Sequence, residues 1–376
     1  VGSSFREFEV GGMSSTTAQV KVAAALVQAA AGPSLWWVFG LFVVAGVLLL
    51  PLLPKLRLWS SAVMYMLLSR DTKWQPQPVP RLSERQKARA VCKRLVFIRH
   101  GESCWNQVFN RSPKWLIPAR LARSVLSELR LLPRLDSVFI DAPLSAVGIE
   151  QVAALRTWLE SDADDHHCKR MLRNEVGRSV LATSNLRRAV STLFAALTPR
   201  LLRHNEKVHV LSCCQEISRQ VDTVAITGAG QRAFPSCHDL AAAAEHCGGP
   251  ALTSLYESRL TTAGNTGSKT SQLTGDQRMH QFCEWAFSRT EADVVILAGH
   301  SLWFKSFFNS YLDPKENPRN CKTAKMKTAG VVTFLLYTFT TDAGEVVYSI
   351  EPETVEEVFP PASQGGAFEE TGKKKE

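Results

Sequence analysis

The sequence predicts an α/β fold, a three-layer sandwich whose mainly parallel central sheet is covered by helices on both faces, preceded by one transmembrane helix. Three observations predict it. Short runs rich in Val, Ile and Leu alternate with longer stretches of helical period, which is the pattern of a layered α/β domain. Those runs are apolar throughout instead of alternating, as strands buried on both faces are. An uncharged block about 20 residues long, the length a helix needs to cross hydrocarbon, lies ahead of them. With 376 residues and a hydrophobic fraction of 45%, the chain has ample material for a packed core, and disorder throughout is excluded.

Residues 1–33 are polar and then alanine-rich, a weakly ordered or helical N-terminal segment. No charge occurs from Val22 to Pro54, and residues 35–53 (LWWVFGLFVVAGVLLLPLL) are apolar throughout. A transmembrane helix is therefore assigned to 34–54, with Trp36 and Trp37 at one interface and Trp59 and Tyr65 beyond the other. A cleaved signal peptide is the competing reading; its apolar stretch is normally shorter, and no clear small-residue cleavage site follows. The net charge of +9 is concentrated just beyond this block: residues 55–94 carry ten bases against two acids. By the positive-inside bias, everything after residue 55 then lies in the cytosol. Nine cysteines without a CxxC pair agree with reduced thiols. Residues 55–90, with the proline-spaced stretch WQPQPVP at 74–80, are read as a basic juxtamembrane linker.

The catalytic domain is assigned to 91–350. Strands are expected at 94–99, 179–184, 207–212, 293–299 and 330–339, and helices at 119–132, 146–160, 186–197 and 276–289. Residues 225–275, rich in Gly, Ser, Thr and Ala, suggest an insertion or lid beside the site. Residues 351–376 are expected to form a solvated, disordered tail.

Four strand ends carry the chemistry. Arg99 and His100 follow the first strand, TSNLRRA (183–189) the second, CQEIS (214–218) the third and AGHSLW (298–303) the fourth. In open α/β sheets ligands collect beyond the carboxyl ends of the strands, so these segments meet at one edge. A phosphate dianion needs several donors at once, and the planar guanidinium fork suits two of its oxygens. Arg99, Arg188 and His300 are assigned to hold the oxygens, with Asn106 and the helix start after Gly299 as neutral donors. An imidazole among cations has a lowered pKa and keeps one nitrogen neutral, so His100 is the candidate nucleophile. Glu216 is the candidate proton donor, with Glu102 its nearest competitor. No compact carboxylate or histidine cluster suggests a metal, and no cofactor is expected.

The ordered set RHGESCWN (99–106), DAPLSAVG (141–148), TSNLRRA, QEI and AGHS resembles the histidine phosphatase superfamily, also called the phosphoglycerate mutase-like family, over about residues 92–340. The resemblance implies that His100 becomes phosphohistidine, that Arg99, Arg188 and His300 form the phosphate pocket with Asn106 nearby, and that Glu216 is the acid. It implies that Arg187 lies at the surface or behind the residues that touch the phosphate. The short TGW loop, the ERxYG segment and the paired arginines of the glycolytic mutases are missing: residues 107–135 replace the first, and Glu216 is followed by ISRQVDT. A phosphomonoester hydrolase is therefore favoured over a phosphoglycerate mutase-type phosphotransferase, and the remaining alternative is a non-catalytic membrane-tethered binding module.

The expected partners are a phosphorylated small molecule or phosphoprotein as substrate and a membrane, through residues 35–53. Nucleic acid is not expected, because the basic stretch lacks an aromatic platform. The terminal KKKE resembles a dilysine retrieval signal, so the endoplasmic reticulum is a candidate membrane for a single-pass protein with a cytosolic catalytic domain.

Overall fold

The computed structural model describes residues 53–77, 79–162, 165–232, 250–360 and 362–369, with Lys21, Trp37, Gly40 and Leu41 as isolated positions before them. Chain contacts separate residues 1–54 from a unit running from Lys55 to the C-terminus. Most of the expected span at 34–54 lies outside the described residues, and among those described no helix is long and apolar enough to cross a membrane.

In chain order, α1 covers Leu53–Leu68 and α2 covers Glu84–Lys87. Next come β1 (Val91–Arg99), α3 (Cys104–Phe109), α4 (Ile117–Arg130), α5 (Ala146–Glu160) and α6 (His167–Leu172). The middle of the chain forms β2 (Ser179–Ser184), α7 (Arg187–Ala196), α8 (Thr198–Arg203), β3 (Val208–Leu211), α9 (Pro250–Arg259) and β4 (Leu260–Thr261). The last part forms α10 (Gly275–Ser288), β5 (Val294–Gly299), α11 (Ser301–Tyr311), β6 (Val331–Thr340), β7 (Val346–Ile350) and β8 (Glu356–Phe359).

One eight-stranded sheet runs in the order β4-β3-β2-β5-β1-β6-β7, with β8 also paired to β6. Strands β4 through β1 in that order are parallel, whereas β6 is antiparallel to β1, β7 and β8. The sheet is thus mixed, not mainly parallel throughout. The reason lies between α11 and β6: α11 runs away from the end of β5, and residues 312–330 return the chain, so β6 starts with Val331 beside Ile98 near the end of β1.

Alternate β1 side chains enter two cores. Val96 and Ile98 join Val152 and Leu155 of α5 and Leu193 of α7, while Leu95 and Phe97 join Phe282 of α10 and Phe304 and Phe307 of α11. This two-sided burial makes three layers and explains the unbroken apolar reading of the strand. Phe97 is the hub of the second core, stacked on Phe304 at 4.3 Å and edge-on to Phe334 at 4.9 Å and Phe307 at 5.2 Å.

Two boundaries need correction. Residues 55–90 are not a free linker: Ala62 and Tyr65 of α1 pack with Ile140 and Val224, and Asp71 is buried. The tail does not begin at 351, because β8 pairs with β6 and Glu357 accepts from the Phe368 N–H at 3.1 Å. A single charged or aromatic residue buried by distant partners leaves no periodicity to read.

Phe97→Ala should cost about 3–5 kcal/mol, since the cavity would open at the meeting point of two helices and the sheet. Urea denaturation followed by far-UV circular dichroism checks this; a loss under about 1 kcal/mol would contradict the central position given to this ring.

Candidate active site

The end of β1 is held on both sides. The Arg99 N–H donates to the Gly330 carbonyl at 2.9 Å, and the His100 N–H to the Gly299 carbonyl at 3.0 Å. Beyond it the chain meets the start of α5 at a contact only glycine permits: a Cβ on Gly101 would lie 2.5 Å from the Gly148 oxygen, and one on Gly148 would lie 2.0 Å from the Glu102 oxygen. The Gly101 N–H donates to Thr192 Oγ1 at 3.1 Å, and that hydroxyl donates to the Arg188 carbonyl at 2.8 Å. Two glycines and one threonine therefore fix the chain after His100 against the helix that carries Arg188.

The rings of His100 and His300 lie 5.1 Å apart between centroids, and both residues are buried. His100 Nδ1 is 2.6 Å from the Gly101 carbonyl, and Arg188 Nε is 3.3 Å from His100 Nε2. A carbonyl only accepts and a guanidinium only donates, so Nδ1 carries the proton and Nε2 presents its lone pair. Burial, reinforced by Arg188 and Arg99, lowers the His100 pKa well below its ordinary value. His300 is lowered in the same way by burial, Arg188 and His100. Neutral imidazoles among fixed cations result.

Several buried nitrogens here have no partner among the described residues. Arg99 Nε and both ring nitrogens of His300 are unpaired, although the Arg99 Nη1 group reaches the Met326 carbonyl and, at 3.5 Å, Glu369. Unmet buried donors are costly, and a cluster of them beside guanidinium groups matches an oxyanion. Arg99, His100, Asn106, Arg188, Glu216 and Asp222 are among the residues around a cavity of about 120 Å³. Asn106 also borders a second cleft of about 500 Å³, which Arg99, Arg111, Lys114, Lys325 and Lys327 make strongly basic. A larger cavity of about 690 Å³ lies beside α4 and is lined by none of Arg99, His100, Arg188 and Glu216.

The sequence-based assignments divide here. Arg99, His100, Arg188, Glu216 and Asn106 line the small cavity, and His300 stands beside His100. The helix start after Gly299 is occupied differently than expected: Glu216 accepts the N–H of Trp303 at 2.8 Å and of Leu302 at 3.4 Å. Those donors cap α11 onto Glu216 and are not directed at a ligand. Burial raises the Glu216 pKa against the opposing pull of Arg188 and the Trp303 N–H. Glu102 instead accepts from the Ser145 hydroxyl at 2.9 Å and does not line the small cavity. Arg187 is not at the surface: it is buried and paired with Asp136 at 2.5 Å, bracing the segment before α5.

Sequence reading missed Asp222. This buried residue accepts from Arg188 Nη1 through its carbonyl at 2.8 Å, and its carboxylate stands 3.4 Å from Arg188 Nη2. Burial, opposed chiefly by Arg188, pushes its pKa up to about 6. No motif marks it. Asp71 was missed as well. Within the segment read as a linker, it accepts from Lys269 at 2.9 Å and from Arg278 at 2.6 Å, and from the Ser218 N–H at 3.1 Å. Arg278 also donates to the Gln215 carbonyl at 2.7 Å, and Lys269 reaches the Glu216 carbonyl. This buried triad carries the loop that holds Glu216. Burial raises the Asp71 pKa, but Lys269 and Arg278 outweigh it and the net shift is downward. Lys269 belongs to the 225–275 segment read as an insertion or lid; there, β4 adds a strand to the sheet and Asn265 binds Asn185 at 2.9 Å.

No family model matches the chain, and no curated protein matches it. Among solved structures, a mycobacterial glucosyl-3-phosphoglycerate phosphatase shares 15% identity over 69% of this chain and 97% of its own, with a TM-score of 0.32. An alpha-ribazole phosphatase from Shigella flexneri shares 16% over 69% and 95%, with a TM-score of 0.32. A phosphoglycerate mutase from Bacillus anthracis shares 14% over 71% and 94%, with a TM-score of 0.34. Likeness at this level says nothing of the reaction of this chain.

Asp71→Asn should destabilise the fold by about 3–5 kcal/mol, because it leaves Lys269 and Arg278 buried without their shared counter-charge. The native contribution of Asp71 is present above the ordinary carboxylate range and is lost as pH falls through its lowered native pKa. Urea midpoints of both proteins between pH 3 and 7 test this; parallel curves would exclude the buried charge as the cause.

Proposed function

We propose that the protein is a phosphomonoester hydrolase that acts through a phosphohistidine intermediate on His100. The observation carrying this reading is the fixed tautomer: Nδ1–H donates a hydrogen bond to the Gly101 carbonyl while the lone pair of Nε2 faces Arg188. In the first step that lone pair attacks phosphorus and the phosphorus–oxygen bond to the leaving alcohol breaks. Arg99, Arg188 and His300 meet the charge on the equatorial oxygens, with Asn106 beside them. Glu216, its carboxyl kept protonated to higher pH by burial, gives its proton to the leaving oxygen. In the second step water attacks phosphorus, the phosphorus–nitrogen bond breaks, and Glu216 takes the proton from water. Asp222 holds Arg188 in place. No metal or cofactor enters this scheme.

Hydrolysis is preferred to transfer between two positions of a phosphoglycerate because the segments that grip that substrate in mutases are replaced here. The basic cleft beside the cavity supports a substrate bearing a second anionic group. Membrane anchoring through residues 35–53, with the domain in the cytosol, belongs to the same proposal and rests on sequence alone. Alkaline carbonate extraction of cell membranes tests it: full release of the intact chain would refute the anchor.

His100→Ala should abolish both turnover of an aryl phosphate and the acid-labile, base-stable phosphoenzyme trapped by rapid quench, with chelator present throughout. Full activity in this variant would exclude the mechanism.

The pH profile gives a second test. The proton donor works in its protonated form, so kcat/KM should fall as pH rises through its raised pKa, above the ordinary carboxylate range. His100 is neutral throughout, because its pKa is lowered, and contributes no loss on the acid side until well below its ordinary value. Glu216→Gln should remove the alkaline limb and cost about 10²–10⁴-fold in kcat, whereas Asp222→Asn should raise KM and keep the limb. If the limb disappears with Asp222→Asn instead, Asp222 is the donor.

A further inference from the structure

Helix α4 faces the wrong way for an ordinary surface helix. A globular domain turns the apolar stripe of such a helix inward, yet Leu121, Val125 and Leu129, spaced four residues apart along one face, are exposed, as is Leu126 at 57%. The side facing the domain is polar around Arg120 and Glu128, while Leu126 borders the cavity of about 690 Å³ that Val108 and Pro143 also line. Arg120 donates to the Arg111 carbonyl at 2.6 Å, and Glu128 is buried in an ion pair with Lys55 of α1 at 2.7 Å. Just before the helix, Trp115 is 76% exposed.

Helix α1, joined to α4 through that ion pair, also exposes apolar side chains. Ala62 and Tyr65 face the domain, while Leu56, Met64 and Leu67 point outward, with Leu56 61% exposed. Clustered exposed apolar side chains of this kind mark a surface that something covers.

Two features identify the occupant. Residues 111–134 carry six arginines and lysines against one acid, Glu128, and that acid is neutralised by Lys55, so the covering surface is negatively charged as well as apolar. In addition, α1 follows directly on residues 35–53, which hold no charge and are apolar throughout. An apolar stripe flanked by arginines, with a tryptophan at one end, is the composition of a helix lying in a lipid interface.

We propose that the outward faces of α4 and α1 dock onto an anionic lipid bilayer, with the Leu121–Val125–Leu129 stripe entering the boundary between headgroups and acyl chains and the arginines contacting lipid phosphates. Arg111 and Lys114, which line the basic cleft next to the phosphate cavity, immediately precede α4. Docking therefore holds that rim of the cleft at the bilayer surface. This inference does not depend on the reaction proposed above.

The test uses the full chain reconstituted into bilayers of phosphatidylcholine, alone or with about one-third phosphatidylserine, containing a phospholipid with a photoreactive acyl chain. Peptide mapping after illumination reads label on 117–130 against the exposed hairpin joining β6 and β7. Label on α4 should exceed that on the hairpin by about five-fold or more and should increase with phosphatidylserine. Leu121→Glu with Val125→Glu and Leu129→Glu should reduce α4 labelling to the hairpin level and leave turnover of a soluble aryl phosphate unchanged, which also shows that the variant is folded. Labelling of α4 no higher than the hairpin, labelling indifferent to lipid charge, or cross-links from α4 to a second copy or to residues 1–52 in place of lipid would each overturn the proposal.

Discussion

The structure is organised around two buried guanidinium groups and unmet polar nitrogens beside a neutral imidazole. Arg99 Nε and both nitrogens of His300 have no partner among the described residues, and Arg188 points its Nε at the lone pair of His100. Leaving such groups unpaired in a low-dielectric interior costs stability. The arrangement is compensated when a multivalent oxyanion enters, and most strongly when that oxyanion gains charge. On the hydrolytic reading proposed above, the site is better matched to a phosphoryl group in transit than to a resting neutral ligand.

A strained electrostatic arrangement needs rigid support, and it comes from distant parts of the chain. Phe97, three residues before His100, is held by rings from α11 and β6. The contact between Gly101 and Gly148 fixes the turn after it. Asp71 draws Lys269 and Arg278 under the loop of Glu216. Glu369, near the end of the described chain, stands 3.5 Å from Arg99, and Phe368 bridges to Met326. Residues before and after the assigned 91–350 domain thus help to aim its catalytic-site candidates.

What was legible in the sequence follows from this division. Local pattern placed the other four expected strands and the helices at 146–160 and 186–197 within a residue or two, and the first strand with its start three residues late, because apolar periodicity and Ser or Gly punctuation are local properties. Strand ends with Arg, His and Glu were legible for the same reason. Orientation was not: nothing in residues 330–339 says that β6 runs antiparallel, since that depends on how far the 312–330 connection climbs. Asp71 and Asp222 were illegible because their meaning lies in partners elsewhere in the fold. A helix at 119–132 was legible, but which side faces the domain is set by Glu128 meeting Lys55, more than seventy positions away in the chain.

The two adjoining spaces suggest how such a protein separates chemistry from choice of substrate. The inner cavity of about 120 Å³ holds the imidazole, guanidinium and carboxyl groups, and has room for little beyond a phosphoryl group. The outer cleft of about 500 Å³ is bordered by Arg111, Lys114, Lys325 and Lys327, which come from connecting segments instead of strand ends. Interactions made equally in ground and transition states lower KM without speeding the chemical step. Arg99 and Lys325 border both spaces; on the hydrolytic reading proposed above, Arg111, Lys114 and Lys327 act in that way, whereas Arg99 and Arg188 act on the reacting phosphorus. Connecting segments tolerate replacement better than strand ends do. On that reading, substrate range can change through Arg111, Lys114 and Lys327 while the geometry around His100 stays fixed, and a charged headgroup or a soluble polyanion would differ only in how it meets that outer rim.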